Sequence, residues 1–367
     1  MTEGLRAALI SLGSVSSRWT YEAMGHYFDH VDNLNIKNFQ INLGAKESEV
    51  LYKGEPMEEY DCVYAKGSFR YADVLSAIVS KLKDRSFMPI RGRAFSVGHD
   101  KVLSHIQMQR HKVPMPKTHL TSSVKAAKEI LKGMNYPIIM KLPRGTQGKG
   151  VMFAESYASA SSLLDTLEAL RQPVMIQEFI DTNGEDIRAI VVGDKVVAAM
   201  RRKAQSGESR SNIHAGGGAE PITIDSKTAA IAIKAAQSIG ADICGVDILE
   251  SARGPVVLEV NLSPGLQGVT KATKINIPDK IAKYLYDETT KRSEVSKTKQ
   301  TESILNDAGV EQCEQSDAKE IILNLDMRNN KILLPELVTQ ITKFAEEDEV
   351  VMRIKKGELS IKQMNNK

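Results

Sequence analysis

Two stretches of this chain of 367 residues place oxygen ligands and cations where they could act on a charged substrate. The first is Val246-Asp247-Ile248-Leu249, a short turn, and Val257-Leu258-Glu259-Val260-Asn261. Glu259 and Asn261 are two apart on a strand and so share a face. A turn centred on Arg253 puts Asp247 opposite Glu259, and directly paired residues also share a face. Two carboxylates and one amide oxygen then converge among apolar neighbours. Gathering carboxylates without a countercharge is costly, so a hard cation such as magnesium is expected there, taking oxygens from one or two carboxylates and from phosphate. The competing reading is the solvated polar face of a hairpin; the flanking apolar runs and the Ser263-Pro264-Gly265 turn favour the metal.

The second stretch, Lys141-Leu142-Pro143-Arg144-Gly145-Thr146-Gln147-Gly148-Lys149-Gly150-Val151, follows a strand that ends in lysine. Glycines let backbone N–H groups approach phosphate oxygens, and the lysine adds a point charge for the same phosphates. The Walker pattern G-x-x-x-x-G-K-[ST] is absent. A plain hairpin turn remains the alternative, and a neighbouring metal site tips the balance toward phosphate. Between the two stretches lie Arg188, Arg201, Arg202, Lys203 and Arg210, with Asn212 and His214. Arginines on a sheet are commonly just solvated, but these follow an apolar strand and precede a Gly/Ser loop, as a carboxylate and phosphate pocket would require. No Ser/His/Asp triad can be placed from the sequence.

The elements that must position these groups alternate as strands and helices, so the expected fold class is α/β, with α+β character in its later part. Ala7 to Ile10 and Asp61 to Tyr64 read as buried strands of one layer, the first running into the small-residue loop Ser11-Leu12-Gly13-Ser14. Pro114 and Pro116 close a segment rich in His, Lys and Arg, so a boundary is expected near residue 95. A helix over 122–132, a strand over 137–141 and another over 174–177 follow. Two hairpins come next, 187–200 turning at Gly193-Asp194 and 246–260, with a helix over 226–239 between them. Residues 287–318 are so polar at their start that no core can form, and they are expected to be a disordered linker.

Composition sets limits on function. With 42% hydrophobic and 26% charged residues the chain is globular, neither collagenous nor disulfide-rich. A net charge of +3 argues against neutralising a nucleic-acid backbone as its main task. Cys62, Cys244 and Cys313 fit no metal spacing and are expected as reduced thiols. Neither a signal peptide nor a membrane span is legible, and a cytoplasmic protein is expected.

Together with Gly98-His99-Asp100-Lys101, Gln177-Glu178-Phe179, Gly184-Glu185-Asp186-Ile187-Arg188 and RRKAQSGESRSNIHAGGGA, these motifs resemble the ATP-grasp ligases, most closely the RimK-type glutamate ligases, from about residue 95 to 285. The resemblance implies an N-terminal α/β domain (1–95), two lobes that clasp ATP (96–180 and 181–286, the second with the metal site), the linker and a small module (319–367). It implies that Lys101 and Lys141 hold ATP phosphates, with Gly145, Thr146, Gln147 and Gly148 in the phosphate loop. Gln177, Glu178 and Phe179 would line the adenine pocket, and Asp186 would approach the ribose. Arg210, Ser211 and Asn212 would face the nucleotide and the acyl phosphate, with Arg188, Arg202 and Arg210 catalytic. Asp247, Glu259 and Asn261 match the family's ligands for magnesium or manganese, expected as two ions. Ala215 departs from relatives that carry a basic residue after the histidine.

The implied reaction is ATP-dependent addition of L-glutamate to a carboxylate through an acyl phosphate, the acceptor being a protein C-terminus, a carrier protein or a glutamylated coenzyme. A non-catalytic ATP-binding regulator or scaffold of the same fold is the alternative. The tail from Asp326 to Ile361 resembles the swapped-hairpin module of AbrB-type regulators. It is expected to promote a homo-oligomer; its balanced charge disfavours the alternative of DNA binding.

Overall fold

The computed structural model describes residues 4–44, 48–121, 123–143, 150–203, 218–307, 326–328, 331–333, 350–355 and 358–363. The chain begins with strand β1 (Arg6–Ser11), helix α1 (Val15–Met24) and strand β2 (His30–Asn35). A small antiparallel sheet follows, β3 (Phe39–Leu43), β4 (Ser48–Tyr52) and β5 (Glu55–Pro56), and then β6 (Cys62–Ala65). Ala7 to Ile10 are fully buried because β1 is the middle strand of a parallel sheet ordered β2-β1-β6, as a continuous apolar run anticipates. Helices α2 (Ala72–Leu82), α3 (Gly92–Gly98) and α4 (Lys101–Arg110) lead on to the central lobe.

That lobe contains β7 (Thr118–Leu120), α5 (Val124–Lys132), β8 (Ile138–Lys141), β9 (Val151–Ala154), α6 (Tyr157–Ala169) and β10 (Met175–Glu178), with sheet order β7-β10-β8-β9. Its core, including Leu131, Ile138, Met140 and Leu164, is its own. The next lobe is built on β11 (Glu185–Val192), β12 (Lys195–Lys203), β13 (Gly218–Pro221), α7 (Ser226–Ile239), β14 (Ile243–Ser251), β15 (Gly254–Asn261) and α8 (Gln267–Thr273). Its antiparallel sheet runs β13-β12-β11-β14-β15. This core is continuous with that of the N-terminal sheet, one cluster reaching from Ala7 to Leu285. The helix over 226–239 forms at those residues: Asp225 caps it by accepting from the Thr228 N–H, and Gly240 ends it at a φ of 87°, a left-handed conformation that glycine adopts without a Cβ clash.

Residues 287–307 correct the expectation of a disordered linker there, since they continue helix α9 (Ile277–Asp307). A polar composition excludes a core of the segment's own, but not a helix extended from an anchored start. The anchor is visible: Tyr27 donates to Asp279 at 2.8 Å, and Ile281, Ala282, Leu285 and Thr289 are buried. Farther along, Arg292 donates to the carbonyls of Lys83 and Asp84 at 3.1 and 2.9 Å. Residues to Thr301 make up one compact unit and those from Glu302 another. In the second, β16 (Asp326–Arg328) pairs with β17 (Lys331–Leu333), and β18 (Val350–Lys355) with β19 (Glu358–Gln363). Among the described residues no helix is long and apolar enough to cross a membrane.

Candidate active site

The hairpin of β14 and β15 brings Asp247 opposite Glu259, but not by the turn the sequence suggests. Ser251 pairs with Gly254, so the turn is Ala252-Arg253, and a regular ladder from there would oppose Asp247 to Leu258 and send the two carboxylates to opposite faces. A bulge restores the pairing: Ile248 pairs with Val257 and Asp247 with Glu259, with Leu258 as the extra residue. Asn261 lies two residues on, its Nδ2 donating to Glu259 Oε1 at 3.2 Å and reaching 3.5 Å from Asp247 Oδ2.

Beside any cation, the neighbouring strands themselves supply countercharge to these carboxylates. Arg188 on β11 pairs with Asp247 in register and grips it with two bonds, Nε to Oδ1 at 2.7 Å and Nη2 to Oδ2 at 2.6 Å. Arg202 on β12 does the same to Asp186, both at 2.6 Å, and its Nη2 also lies 3.0 Å from Asp247 Oδ2. Both forks are bidentate, the geometry that arginine offers and lysine does not. Burial pushes the Asp247 carboxyl up, but Arg188 and Arg202 outweigh it and hold the group well below the usual carboxylate range. Burial likewise disfavours the Arg202 charge, and Asp247 and Asp186 more than restore it. Asp186, expected at the ribose, has both oxygens engaged by Arg202.

Glu259 is in the opposite state. Burial and then the nearby Asp247 charge push its carboxyl up, against the pull of Arg188, Lys101 and Lys141. A divalent cation would relieve that strain, and the donor set fits one: two carboxylates and an amide, leaving positions for phosphate oxygens. Among the described residues no three or more His, Cys, Asp or Glu side chains gather as a metal cluster, so phosphate or water must complete any such shell. Ligation would also require the Asn261 amide to turn its oxygen toward the carboxylates, where its nitrogen now sits.

Lys101 and Lys141 reach the same place from different elements. Lys101 opens α4, whose N-cap Asp100 accepts from the N–H groups of Val102 and Leu103. Its own N–H donates to Pro143 O at 3.2 Å, tying α4 to the chain leaving β8. Lys141 ends β8, and its ammonium donates to Gln177 Oε1 at 2.7 Å. Burial drives Lys141 down to about 8, with Lys101 adding to the shift and Glu259 and Asp247 opposing it. Lys101 is lowered too, chiefly by burial. Gln177 donates in turn to Thr118 Oγ1 at 2.7 Å and lies 3.4 Å from His105 Nε2. His105, one helical turn after Lys101, and Thr118 were not singled out by the sequence reading; the i, i+4 spacing of Lys101 and His105 was the available signal.

Of the remaining expected residues, Glu178 accepts from the Lys117 N–H at 2.7 Å, while its own N–H donates to Lys117 O. Phe179 meets Phe153 edge to face at 5.3 Å between ring centres. Gly145, Thr146, Gln147, Gly148, Arg210, Ser211, Asn212, His214 and Ala215 lie outside the described residues. Two carboxylates, an amide, two guanidinium groups and two desolvated lysines therefore converge from both lobes, an arrangement that can hold and polarise a polyphosphate.

Comparison with known proteins agrees. Residues 98–285 match the RimK-like ATP-grasp domain. The chain is 37% identical over 267 residues to a probable alpha-L-glutamate ligase of Vibrio atlanticus, covering 72% of this chain and 88% of the relative. It is 38% identical over 258 residues to another from Rhodopirellula baltica, covering 69% and 63%. Among solved structures, the ATP-grasp ligase PsnB complexed with minimal precursor, Mg and ADP superimposes with a TM-score of 0.61 at 18% identity, over 78% of this chain and 98% of that one. A RimK domain ATP-grasp protein from Sphaerobacter thermophilus does so at 0.58 and 19%, over 76% and 98%. The chain belongs to the RimK-type ATP-grasp family and is an ATP-dependent carboxylate-amine ligase.

Proposed function

We propose that this ligase adds L-glutamate, as the amine, to the carboxylate of an acceptor. The acceptor carboxylate attacks the γ-phosphorus of ATP, giving an acyl phosphate and ADP. The glutamate amine then attacks the acyl carbon, phosphate leaves, and the amine proton passes to solvent or a nearby base. The observation that supports this most is the convergence of Lys101, at the start of α4, and Lys141, from the central lobe, on the Asp247–Glu259 pair, flanked by Arg188 and Arg202.

In this reading Lys101 and Lys141 hold the ATP phosphates, aided by Gly145, Thr146, Gln147 and Gly148. Gln177, Glu178 and Phe179 line the adenine side. Asp186 contacts the nucleotide ribose or, as its bonds favour, fixes the Arg202 fork. Arg188 and Arg202, with Arg210, Ser211 and Asn212, stabilise charge on the transferring phosphoryl group and then on the tetrahedral intermediate. Asp247, Glu259 and Asn261 would hold magnesium or manganese, two ions in all, which supply Lewis-acid neutralisation of phosphate charge. The names of the relatives support glutamate as the amine. Candidate acceptors are a protein C-terminus, a carrier protein and a glutamylated coenzyme.

Purified protein incubated with ATP, magnesium, L-glutamate and each acceptor class should form ADP only when glutamate and one acceptor are both present, and that acceptor should gain the mass of glutamate. ATP binding with no ADP formed under any combination would favour the regulatory alternative.

A further inference from the structure

A single buried amide faces the Lys141 ammonium. Gln177 on β10 is only 2% exposed, so the polar atoms of its side chain must find their partners inside the protein. Its Oε1 accepts from Lys141 Nζ at 2.7 Å. Its Nε2 lies 2.7 Å from Thr118 Oγ1 on β7 and 3.4 Å from His105 Nε2 on α4. Reversing the amide would turn its nitrogen toward an ammonium, donor against donor.

The far ends of this network decide which way the amide points. Thr118 Oγ1 spends its own proton on the Pro116 carbonyl at 2.9 Å, so toward Gln177 it can only accept. His105 Nδ1 lies 2.7 Å from the Lys101 carbonyl, which has no proton to give, so Nδ1 carries the ring proton. Burial lowers the His105 pKa; the bond to the Lys101 carbonyl opposes this, and the Lys141 and Lys101 charges add to it. The ring is therefore neutral at pH 7, and its Nε2 is a bare acceptor. Two acceptors thus meet the two N–H bonds of the Gln177 amide, and its oxygen is left for Lys141. Both ends of the network stop on backbone carbonyls, which cannot reverse, so its sense is fixed throughout.

We infer that His105 and Thr118 are positioning residues for Lys141: they hold the Gln177 amide with its oxygen toward the ammonium, and Gln177 aims that ammonium at the phosphates of ATP. This rests on the reading of Lys141 as a phosphate ligand and deepens it, committing the Gln177 side chain to the lysine rather than to the base. The same bonds run from the Lys101 carbonyl on α4 through His105 and Gln177 to Lys141 on β8, so they link the elements that carry the two lysines. Removing either acceptor leaves a buried N–H of Gln177 unpaired and lets the amide turn away. Lys141 then loses a bond that favours its charged form.

Calorimetric titration of the full chain with magnesium and β,γ-imido-ATP, from about pH 6.5 to about 9.5, tests the assignment. His105→Leu and Thr118→Val should each weaken binding by about fivefold at pH 7, the loss expected for one hydrogen bond. In both, the fall of affinity at alkaline pH should begin about half a unit or more lower than in wild type, because a lysine stripped of its acceptor loses its proton sooner. His105→Gln, whose amide oxygen can stand where Nε2 stood, and Thr118→Ser should recover affinity and profile together. In a Gln177→Met background His105→Leu should change neither, since the amide through which it acts is gone. Wild-type binding and profile in both variants, weaker binding with an unmoved profile, or an equal loss in the Gln177→Met background would each overturn the assignment. Lys141→Met serves as the control and should bind about tenfold or more weakly. If it binds like wild type, the phosphate reading of Lys141 fails and the inference with it; if it alone loses affinity, only the inference fails.

Discussion

Asp247 is the most heavily committed carboxylate of the site, gripped by Arg188 and touched by Arg202, whereas Glu259 feels Arg188, Lys101 and Lys141 and, among the described residues, has no arginine fork of its own. We propose that the two have different tasks: Asp247 organises the arginines and Glu259 is the carboxylate that a bound cation would most alter. Arg202 spans Asp186 and Asp247 through a fork that an ammonium cannot reproduce. Arg202→Lys should keep MgATP affinity within about threefold but lower turnover by about a hundredfold or more. A parallel fall in affinity and turnover would place Arg202 on the nucleotide instead. Lys141 gives a pH signature. With its ammonium at about 8 in the free protein, it is charged at neutral pH and loses its proton as pH rises through that value, while bound phosphate would draw the proton back. MgATP affinity should be level below pH 7 and weaken above 8 by up to about tenfold per unit, with proton uptake on binding. Lys141→Arg, which stays charged, should flatten the profile; a flat wild-type profile would contradict the assignment.

At the scale of elements, strands β1, β6, β8, β10, β14 and β15 were legible because continuous apolar runs end at Gly, Pro or charged residues. The carboxylate pairing was legible in outcome but not in cause: the turn lies half a residue from Arg253, and the Leu258 bulge compensates. Bulges leave no composition signal, since any residue can be the extra one. The arginine countercharges were visible as residue types, yet their partners depend on the β11–β14 register, which no local spacing reveals. Helix α9 was hidden for another reason: its second half is polar, and it is held by a buried Thr289 and by Arg292 reaching the carbonyls of Lys83 and Asp84. These carbonyls follow the end of α2, so α9 fastens the N-terminal domain. Truncation after Asp287 should lower the melting temperature by several degrees relative to truncation after Thr301, because it deletes these bonds at about 1 kcal/mol each. Equal melting of the two truncations would show that the second half of α9 contributes nothing.

For the whole molecule, a core shared between the N-terminal sheet and the lobe of the β14–β15 hairpin contrasts with the separate core of the central lobe. Lys141 is brought to Glu259 from the central lobe, whereas α4, which carries Lys101, packs with α7 and β15, so the site is complete only when the lobes approach. The tail, beyond the segment matching the family, supplies two described hairpins, and we propose that it promotes self-association and is dispensable for ligation. Truncation after Thr301 should lower the mass in solution and leave the ligase rate unchanged. An unchanged oligomer, or loss of rate in a folded truncation, would refute this. The account as a whole turns on the Asp247–Glu259–Asn261 face as the seat of phosphoryl transfer. The most direct test is the rate of magnesium-dependent ADP formation by Glu259→Ala beside wild type, with circular dichroism and melting recorded on both. A folded variant that forms no measurable ADP is the predicted result. A folded variant that turns over like wild type with magnesium would contradict the account.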